Sequence, residues 1–143
     1  MSTFKIAPMI ASGCTGILKP PENAPLSALR MCELWNDIDG VVPGVLNCLP
    51  GLGAVTGDAL TEHDGIRKIA FTGSTAIGKR IMSRASKNMK RVNLELGGKG
   101  PMVVFDDSDI DKAVEKAAHF GLWNSGQFCG APTRCIVQNG IHD

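Results

Sequence analysis

The fold is decided by residues 68–85, which read KIAFTGSTAIGKRIMSRA. The run from Lys68 to Phe71 predicts a short β-strand, and Ala76 to Ala85 predict an α-helix that follows it after a brief turn. A strand that passes through a glycine-containing turn directly into a helix is typical of a parallel β-α-β unit. We therefore expect an α/β fold with an open parallel sheet.

The same alternation continues on both sides of this unit. Further strands are predicted at residues 15–18, 45–49, 91–94, 102–105 and 134–138, and further helices at residues 4–12, 24–36, 54–62 and 109–120. In the helix over residues 24–36, Leu26, Leu29 and Leu34 are predicted to lie near one face. Glycine and proline combine between Gly97 and Pro101, which predicts a domain boundary there.

The composition indicates a globular protein and excludes several classes of partner. The 143 residues are 43% hydrophobic, which is enough for a core, and the formal net charge is +1 with both signs mixed along the chain. Such a chain offers no basic surface for nucleic acid or an anionic membrane, and no apolar run approaches the roughly 20 residues of a membrane span. Because the N-terminus also lacks the pattern of a secretion signal, we expect a soluble, cytoplasmic protein.

The five cysteines argue against a disulfide framework and against a metal site. Their number is odd, and they show neither CxxC spacing nor clustering with histidine. We therefore expect reduced thiols and no bound metal. Four of the cysteines lie in periodic segments and are expected to be buried, apolar side chains: Cys14, Cys32, Cys48 and Cys135.

Two glycine-containing turns join a predicted strand to a predicted helix and are candidates for binding a phosphate or a dinucleotide. In one, Gly73 and Ser74 precede a helix N-terminus, where free N–H groups and the helix dipole favour an anion. The alternative is that Ser74 simply caps the helix. The other turn, residues 50–57, has the glycine spacing GxGxxxG, which departs from the dinucleotide fingerprint GxGxxG and is by itself a weak indication.

The tract Lys19-Pro20-Pro21-Glu22 follows the first predicted strand, at the edge where an open parallel sheet receives its ligands. In a turn, an ammonium donor and a carboxylate acceptor at this spacing can bracket two vicinal hydroxyl groups, such as those of a ribose. The alternative is an exposed turn with a solvated ion pair.

Cys129 is the candidate nucleophile. It lies in the tract NSGQFCGAPTR, residues 124–134, whose glycines permit a tight and exposed backbone. Residues 127–129 are expected to begin a helix, whose N-terminal field would activate the thiol. The alternative is a small, buried apolar side chain.

Glu95 is the candidate base. It lies between two leucines at a strand end, where a carboxylate must face a cavity, water or a partner. It could act as a general base or activate water, or it could pair with Arg91 or Lys99. Covalent catalysis at a carbonyl group requires at least a nucleophile and a base, so Cys129 and Glu95 are interpreted together.

Taken together, these tracts resemble the NAD(P)-dependent aldehyde dehydrogenase family over nearly the whole chain. The resemblance rests on KPPE at 19–22, similar to the family's ribose clamp, FTGS at 71–74, similar to its phosphate turn, LELGGK at 94–99, similar to its general-base motif, and GQFC at 126–129, similar to its nucleophile motif. It implies an α/β fold with an incomplete Rossmann-like sheet of the aldehyde dehydrogenase type. It further implies a partial dinucleotide-binding domain over residues 1–98 and the start of the catalytic domain, with its first strand-helix unit and the nucleophile, over residues 99–143.

The resemblance also implies an oxidoreductase reaction and its site residues. Cys129 would attack an aldehyde to form a thiohemiacetal, hydride would pass to the nicotinamide, and Glu95 would activate the water that hydrolyses the thioester. The cofactor would be NAD, with NADP possible, although Glu22 near the 2′-hydroxyl would disfavour a 2′-phosphate. The implied cofactor-binding residues are Lys19, Glu22, Gly53, Gly57, Gly73, Ser74, Ile77 and Leu96.

By the same resemblance the chain is a fragment, and two interpretations stay open. In one, the parent enzyme is a homo-oligomer that oxidises an aldehyde to a carboxylic acid, and the chain alone is inactive because an oxyanion-hole asparagine and most of the catalytic domain lie outside it. In the other, the chain is a non-catalytic truncated form that binds nucleotide weakly or associates with full-length subunits through exposed sheet edges. The aldehyde is not indicated, because the residues that shape the substrate tunnel lie mostly outside the chain.

Overall fold

The computed structural model describes residues 2–142, which form two compact units. The first unit contains the chain up to Thr72 together with Ala76–Leu94, and the second contains Gly73–Thr75 together with the chain from Glu95 onward. The division into domains at residues 98 and 99 stays a prediction, because a compact unit is not by itself a domain that folds or functions alone.

Helices and strands alternate along the described chain. The α-helices are α1 (Ser2–Ala11), α2 (Leu26–Asn36), α3 (Asp58–Glu62), α4 (Thr75–Ala85) and α5 (Ile110–Leu122). The β-strands are β1 (Gly16–Leu18), β2 (Leu46–Cys48), β3 (Lys68–Gly73), β4 (Arg91–Leu96), β5 (Pro101–Val104) and β6 (Arg134–Val137). This order confirms the predicted α/β class. Between residues 2 and 142, no helix is both long and apolar enough to cross a membrane.

The strands pair in open, non-closed sheets. β1 pairs with β2, β3 with β4, and β5 with β6, so the described residues form three two-stranded sheets where the sequence predicted one larger sheet. β1 and β2 run parallel with Ile17 opposite Asn47, and β5 and β6 run parallel with Met102 opposite Cys135. Parallel pairing in open sheets agrees with the predicted architecture.

Helix α2 contacts β2, and the residues that it buries are small. Ala28 and Cys32 are its buried residues, whereas Leu26 is 78% exposed and Leu34 is 50% exposed. The leucines are therefore not the residues that α2 buries. Residues four apart lie on the same side of a helix, and the small pair allows a close approach to the sheet, where Leu46 is only 1% exposed.

The segment between β2 and β3 begins with a wide helical turn. Gly53–Gly57 form one π-helical turn that continues into α3, so the helix predicted over residues 54–62 is present in two forms. The backbone N–H of Asp58 donates to the carbonyl of Gly53, and the hydroxyl of Thr61 donates to the carbonyl of Gly57 at 2.7 Å. Isolated π turns frequently occur at functional sites.

Candidate functional site

Lys19 and Glu22 form an ion pair directly after β1. The distance from Lys19 Nζ to Glu22 Oε2 is 3.6 Å, and the ammonium also donates to the carbonyl of Pro20 at 2.8 Å. The Lys19 side chain is 18% exposed and the Glu22 side chain is 53% exposed. The cation is thus largely covered by protein, while the carboxylate remains accessible to a ligand.

Backbone groups prepare the Glu22 carboxyl to accept hydrogen bonds. A hydrogen bond from the backbone of Glu22 itself lowers the pKa of this carboxyl below its ordinary value of 4.5, and desolvation works in the opposite direction. The positive charge of Lys19 and a hydrogen bond from the backbone of Gly53 lower this pKa further. Glu22 is therefore an ionised acceptor at neutral pH.

Two glycines of the π turn complete this arrangement. The backbone of Gly53 lies close enough to Glu22 to lower the pKa of its carboxyl, and a Cβ atom added at Gly57 would stand 3.8 Å from Cδ of Lys19. A Cβ atom added at Gly53 would meet nothing within 4 Å, so its free side is open. The first unit thus brings together four residues that the sequence analysis selected from two separate tracts. We call Lys19, Glu22, Gly53 and Gly57 the cradle.

The other predicted cofactor residues lie at the start of α4 and the end of β4. Gly73 ends β3, Ser74 follows it, and α4 begins at Thr75, as the strand-turn-helix pattern predicts. Ser74 is exposed, and Ile77 in the first turn of α4 is 43% exposed. Leu96 is the last residue of β4 and is half-buried.

Cys129 lies in an exposed turn rather than at a helix start. A turn surrounds Cys129, closed by the backbone N–H of Ala131, which donates to the carbonyl of Phe128 at 3.0 Å. The helix predicted to begin over residues 127–129 is therefore wrong, and the thiol does not gain a helix N-terminal field. Pro132 disfavours a helix here, because it cannot donate to the carbonyl of Phe128, four residues earlier, and its ring would clash with that carbonyl.

The turn before Cys129 has an unusual backbone that the sequence analysis did not predict. Asn124 and Ser125 have φ angles of 51° and 58°, followed by Gly126 at 72°. The Asn124 side chain supports this turn by donating to the carbonyl of Gln127 at 3.2 Å. Asparagine visits the left-handed region more readily than most residues, so Asn124 two residues before a glycine was the available signal.

The sequence also did not predict an aromatic pair in the segment that contains Cys129. The rings of Trp123 and Phe128 meet edge to face with centroids 4.9 Å apart. Trp123 is 52% exposed and Phe128 is 40% exposed. Their spacing on either side of a glycine-containing turn could have indicated this contact.

Glu95 lies on the exposed side of β4. Exposed and half-buried residues alternate along this strand, and Glu95 belongs to the exposed set. Among residues 2–142, no ion pair joins it to Arg91 or Lys99, and no hydrogen bond joins it to Cys129. Both Glu95 and Cys129 belong to the second unit, and both are open to water.

The remaining cysteines only partly follow the expectation of burial. Cys32 is buried and Cys48 is half-buried, but Cys14 and Cys135 are exposed, so the prediction was wrong for these two. Cys14 follows the turn after α1, and Cys135 lies on an exposed face of the short strand β6. Desolvation, and secondarily the neighbouring Cys32 thiol, raises the pKa of the Cys48 thiol above its ordinary value of 9.0.

Comparison with known proteins gives a consistent result over the whole chain. The model of the family described as "Aldehyde dehydrogenase family" matches residues 1–143. An aldehyde dehydrogenase from Agaricus bisporus is 51% identical over 144 residues, which cover 100% of this chain and 29% of the relative. A chloroplastic betaine aldehyde dehydrogenase from Amaranthus hypochondriacus is 47% identical, with 99% of this chain and 28% of the relative covered.

A solved structure supports the fold directly. A point mutant of betaine aldehyde dehydrogenase from Staphylococcus aureus, in complex with NAD+, matches with a TM-score of 0.90 and 40% identity. The match covers 98% of this chain and 28% of that structure. The chain therefore spans less than a third of the length of each of these proteins.

Proposed function

Because the chain belongs to the aldehyde dehydrogenase family, we propose that it carries the nucleophile, the base and part of the NAD site of an enzyme that oxidises an aldehyde to a carboxylic acid. The observation that carries this proposal is the cradle. Lys19 and Glu22 are separated from Gly53 and Gly57 by the whole of α2 and β2, yet their side chains and backbone groups meet. An isolated, solvated ion pair gives no reason for Gly53 and Gly57 to lie beside Lys19 and Glu22.

The chemistry of the cradle fits the adenosine ribose of NAD. Glu22 supplies an ionised acceptor and Lys19 a donor, which is the pair that two vicinal hydroxyl groups require. Gly53 leaves its outer side free of a Cβ atom, which permits a close approach. The Glu22 carboxylate would repel a 2′-phosphate, so NAD is favoured over NADP.

The remaining cofactor contacts are proposed from the family resemblance. Ser74 would bind the pyrophosphate next to Gly73, Ile77 would contact the adenine, and the backbone near Leu96 would meet the nicotinamide. The exposed position of Ser74 before α4 suits an anion, since the first N–H groups of a helix have no partner within it.

For the reaction itself, we assign covalent catalysis to Cys129. Its sulfur would attack the aldehyde carbonyl and hold the substrate as a thiohemiacetal and then as a thioester. Bound NAD would supply the acceptor for the hydride. Glu95 would take a proton from the water that releases the acid, and its exposure on β4 leaves that water free to approach.

The aromatic pair beside Cys129 favours a cationic aldehyde as substrate. Trp123 presents half of its surface next to the nucleophile turn, and an indole face attracts an ammonium group. The Amaranthus hypochondriacus and Staphylococcus aureus relatives are both betaine aldehyde dehydrogenases. We therefore propose an aldehyde that carries an amino or quaternary ammonium group.

Two further properties are proposed for the complete protein and for the isolated chain. The complete protein would be a homo-oligomer, whereas the 143-residue chain alone would show negligible aldehyde oxidation, since it spans only 28% to 29% of its relatives. A cytoplasmic location stays a prediction from the sequence, because the Amaranthus relative is chloroplastic.

The cofactor assignment is tested with Glu22→Gln and a matched control. Glu33→Gln removes a carboxylate that is also paired with a basic residue three positions earlier, Arg30 at 3.0 Å, but on the exposed side of α2. In calorimetric titration with NAD we expect Glu22→Gln to weaken binding by about tenfold, because a charged acceptor is lost. Glu33→Gln should bind as the wild type. Equal affinity of Glu22→Gln and the wild type would contradict the assignment, as would a wild-type chain that does not bind NAD.

The catalytic assignment is tested in a full-length context. In a chimera, this chain replaces the matching 28% of the Staphylococcus aureus enzyme, and NADH formation from betaine aldehyde is followed. We expect Cys129→Ala and Glu95→Gln each to lower turnover by at least about a thousandfold, whereas Cys135→Ala leaves turnover intact. Turnover that survives Cys129→Ala, or clear turnover by the isolated chain, would refute the respective part of the proposal.

A further inference from the structure

A network of ion pairs joins α3 to α4 in the first unit. Asp58 pairs with Arg80, and its Oδ2 also lies 3.4 Å from Nη2 of Arg84. Arg84 in turn donates to Oε1 of Glu62 at 2.7 Å, and Nζ of Lys87 lies 3.5 Å from the same oxygen. Two acids spaced one helical turn apart thus meet two arginines on one side of α4 and Lys87, which follows the end of that helix.

The attachment continues beyond the ends of both helices. The side-chain amide of Asn88 donates to Oδ1 of Asp64 at 2.9 Å and to the carbonyl of Glu62 at 3.3 Å. Lys90, only 9% exposed, donates to the carbonyl of His63 at 2.5 Å. The segment from Asp58 to Asp64 is therefore held by α4 and by the turn that follows it.

This network differs from an isolated surface pair. The Asp58 side chain is 19% exposed and is shared by two guanidinium groups, and the Arg84 side chain is 30% exposed and is shared by two carboxylates. A single exposed pair has little effect on stability, because solvent screens it and side-chain entropy opposes it. Shared, half-buried charges in a network are constrained by several partners at once, which favours one relative position of the two helices.

The same segment is continuous with the cradle. The backbone N–H of Asp58 donates to the carbonyl of Gly53, and Thr61 in α3 donates to the carbonyl of Gly57. The Gly53 backbone lies close enough to Glu22 to lower the pKa of its carboxyl, and a Cβ atom added at Gly57 would stand 3.8 Å from Cδ of Lys19. A displacement of α3 would therefore move both cradle glycines relative to the ion pair that they adjoin.

We propose that Asp58 and Arg80, supported by Glu62 and Arg84, are positioning residues for NAD, which fix the Gly53–Gly57 turn against Lys19 and Glu22. They act through the backbone of α3 and do not touch the cofactor. This inference rests on the proposed function, since it assigns a role in cofactor binding to residues outside the cradle. A site that must be held within a fraction of an ångström depends on such supporting contacts.

The test measures NAD affinity of the full chain by calorimetric titration, together with the amide chemical shifts of Gly53 and Gly57 before NAD is added. We expect Asp58→Asn and Arg80→Gln each to weaken NAD binding by about threefold to tenfold and to shift both glycine amides. Arg80→Lys, which keeps the charge, should restore most of the affinity. Arg30→Gln, which breaks the ion pair on α2, should change neither readout.

A second control separates positioning from general stability. Ile81→Val truncates a buried side chain on α4, 9% exposed, and destabilises the chain while leaving the ion pairs in place. It should lower the unfolding midpoint about as much as Asp58→Asn but leave NAD affinity within about twofold of the wild type. Loss of affinity in Ile81→Val to the same extent as in Asp58→Asn would show that the network acts only through stability, and would overturn the inference.

The outcomes also distinguish this inference from the proposed function. A wild-type chain that binds NAD, with Asp58→Asn and Arg80→Gln binding equally well, would overturn the positioning role and leave the cradle assignment intact. A wild-type chain that does not bind NAD would overturn both.

Discussion

At the scale of a residue, Glu22 shows how backbone groups can prepare an exposed carboxylate for a ligand. The largest influence on its pKa comes from the hydrogen bond of its own backbone, and the Lys19 ammonium at 3.6 Å is a smaller one. The main role of Lys19 is therefore to orient the carboxylate and balance its charge, and its effect on the pKa of Glu22 is smaller. This separation of roles means that the charge of Glu22 should survive the loss of Lys19.

The titration of Glu22 tests this view. We expect carboxyl carbon NMR to give Glu22 a pKa below 4.5, and Lys19→Gln to reverse only part of the lowering. Because the folded pKa is lower than the unfolded one, ionised Glu22 stabilises the folded chain at all pH values above about 4.5. That contribution is lost as the pH falls through the folded pKa. A Glu22 pKa at or above 4.5 in the wild type would contradict this expectation, as would a return of the pKa to 4.5 in Lys19→Gln.

Individual cysteines show where residue-scale reasoning from the sequence fails. Periodicity correctly predicted burial for Cys32, but Cys14 and Cys135 are exposed. Burial depends on whether another element covers the position, and this is decided by packing at a distance in sequence. Cys48 is half-buried beside Cys32 for that reason, since β2 and α2 are brought together by the fold.

At the scale of an element, α5 has a start that its sequence specifies. Asp109 is the N-cap, and its Oδ1 accepts a hydrogen bond from the backbone N–H of Lys112 at 3.1 Å. The Lys112 ammonium lies 2.8 Å from Oδ2 of the same carboxylate. The hydrogen bonds from the side chain and backbone of Lys112 lower the pKa of the Asp109 carboxyl.

Replacement of the cap should affect the first turn of α5 selectively. We expect Asp109→Ala to raise the hydrogen-exchange rate of the Lys112 amide, because this donor loses its acceptor, and to lower the unfolding midpoint. Asp109→Asn is the matched control, since asparagine caps about as well as aspartate and should leave the exchange rate close to that of the wild type. Equal protection of Lys112 in all three proteins would show that the cap does not hold this turn.

The segment after α5 shows the limit of prediction at this scale. Gly126 and Gly130 correctly indicated an exposed, tight backbone around Cys129, but the helix predicted there is absent. Residues 127–131 are compatible with a helix, but both of their flanks oppose one. Asn124 and Ser125 before them are in the left-handed region, and Pro132 after them disfavours the helical conformation. A turn forms instead of a helix, because a helix is incompatible with the residues on both sides of this segment.

At the scale of the whole molecule, the described residues leave much apolar surface uncovered. Leu46 is the largest side chain less than 2% exposed, whereas Phe4, Leu26 and Leu122 are 81%, 78% and 75% exposed. The three sheets are open and have only two strands each. We therefore expect a partner or further chain to cover some of these apolar side chains and open sheet edges.

The isolated chain should therefore bind a hydrophobic dye in its folded state. We expect 8-anilinonaphthalene-1-sulfonate fluorescence to rise strongly in native buffer, and sedimentation to show association that grows with concentration. The full-length chimera is the control and should bind much less dye, because its additional chain covers these faces. A chain that sediments as a monomer and leaves dye fluorescence unchanged would refute this expectation.

The sequence by itself determined the α/β class, nearly all strand and helix positions, and the tracts that identify the family. These features depend on short-range patterns, such as a strand followed by a glycine-containing turn and then a helix. Such patterns can be recognised within a few consecutive residues. Residues that share one tract, such as Lys19 and Glu22, were paired correctly for the same reason.

Only the tertiary structure decided which tracts meet. The approach of Gly53 and Gly57 to Lys19 and Glu22, and the ion pairs between α3 and α4, join residues far apart in sequence. Such contacts form when several elements together bury their apolar side chains and pair their charged groups. No pattern within one segment of the sequence specifies this arrangement. For the same physical reason, the sequence predicted the parts of the proposed cofactor site, while the fold assembled the cradle.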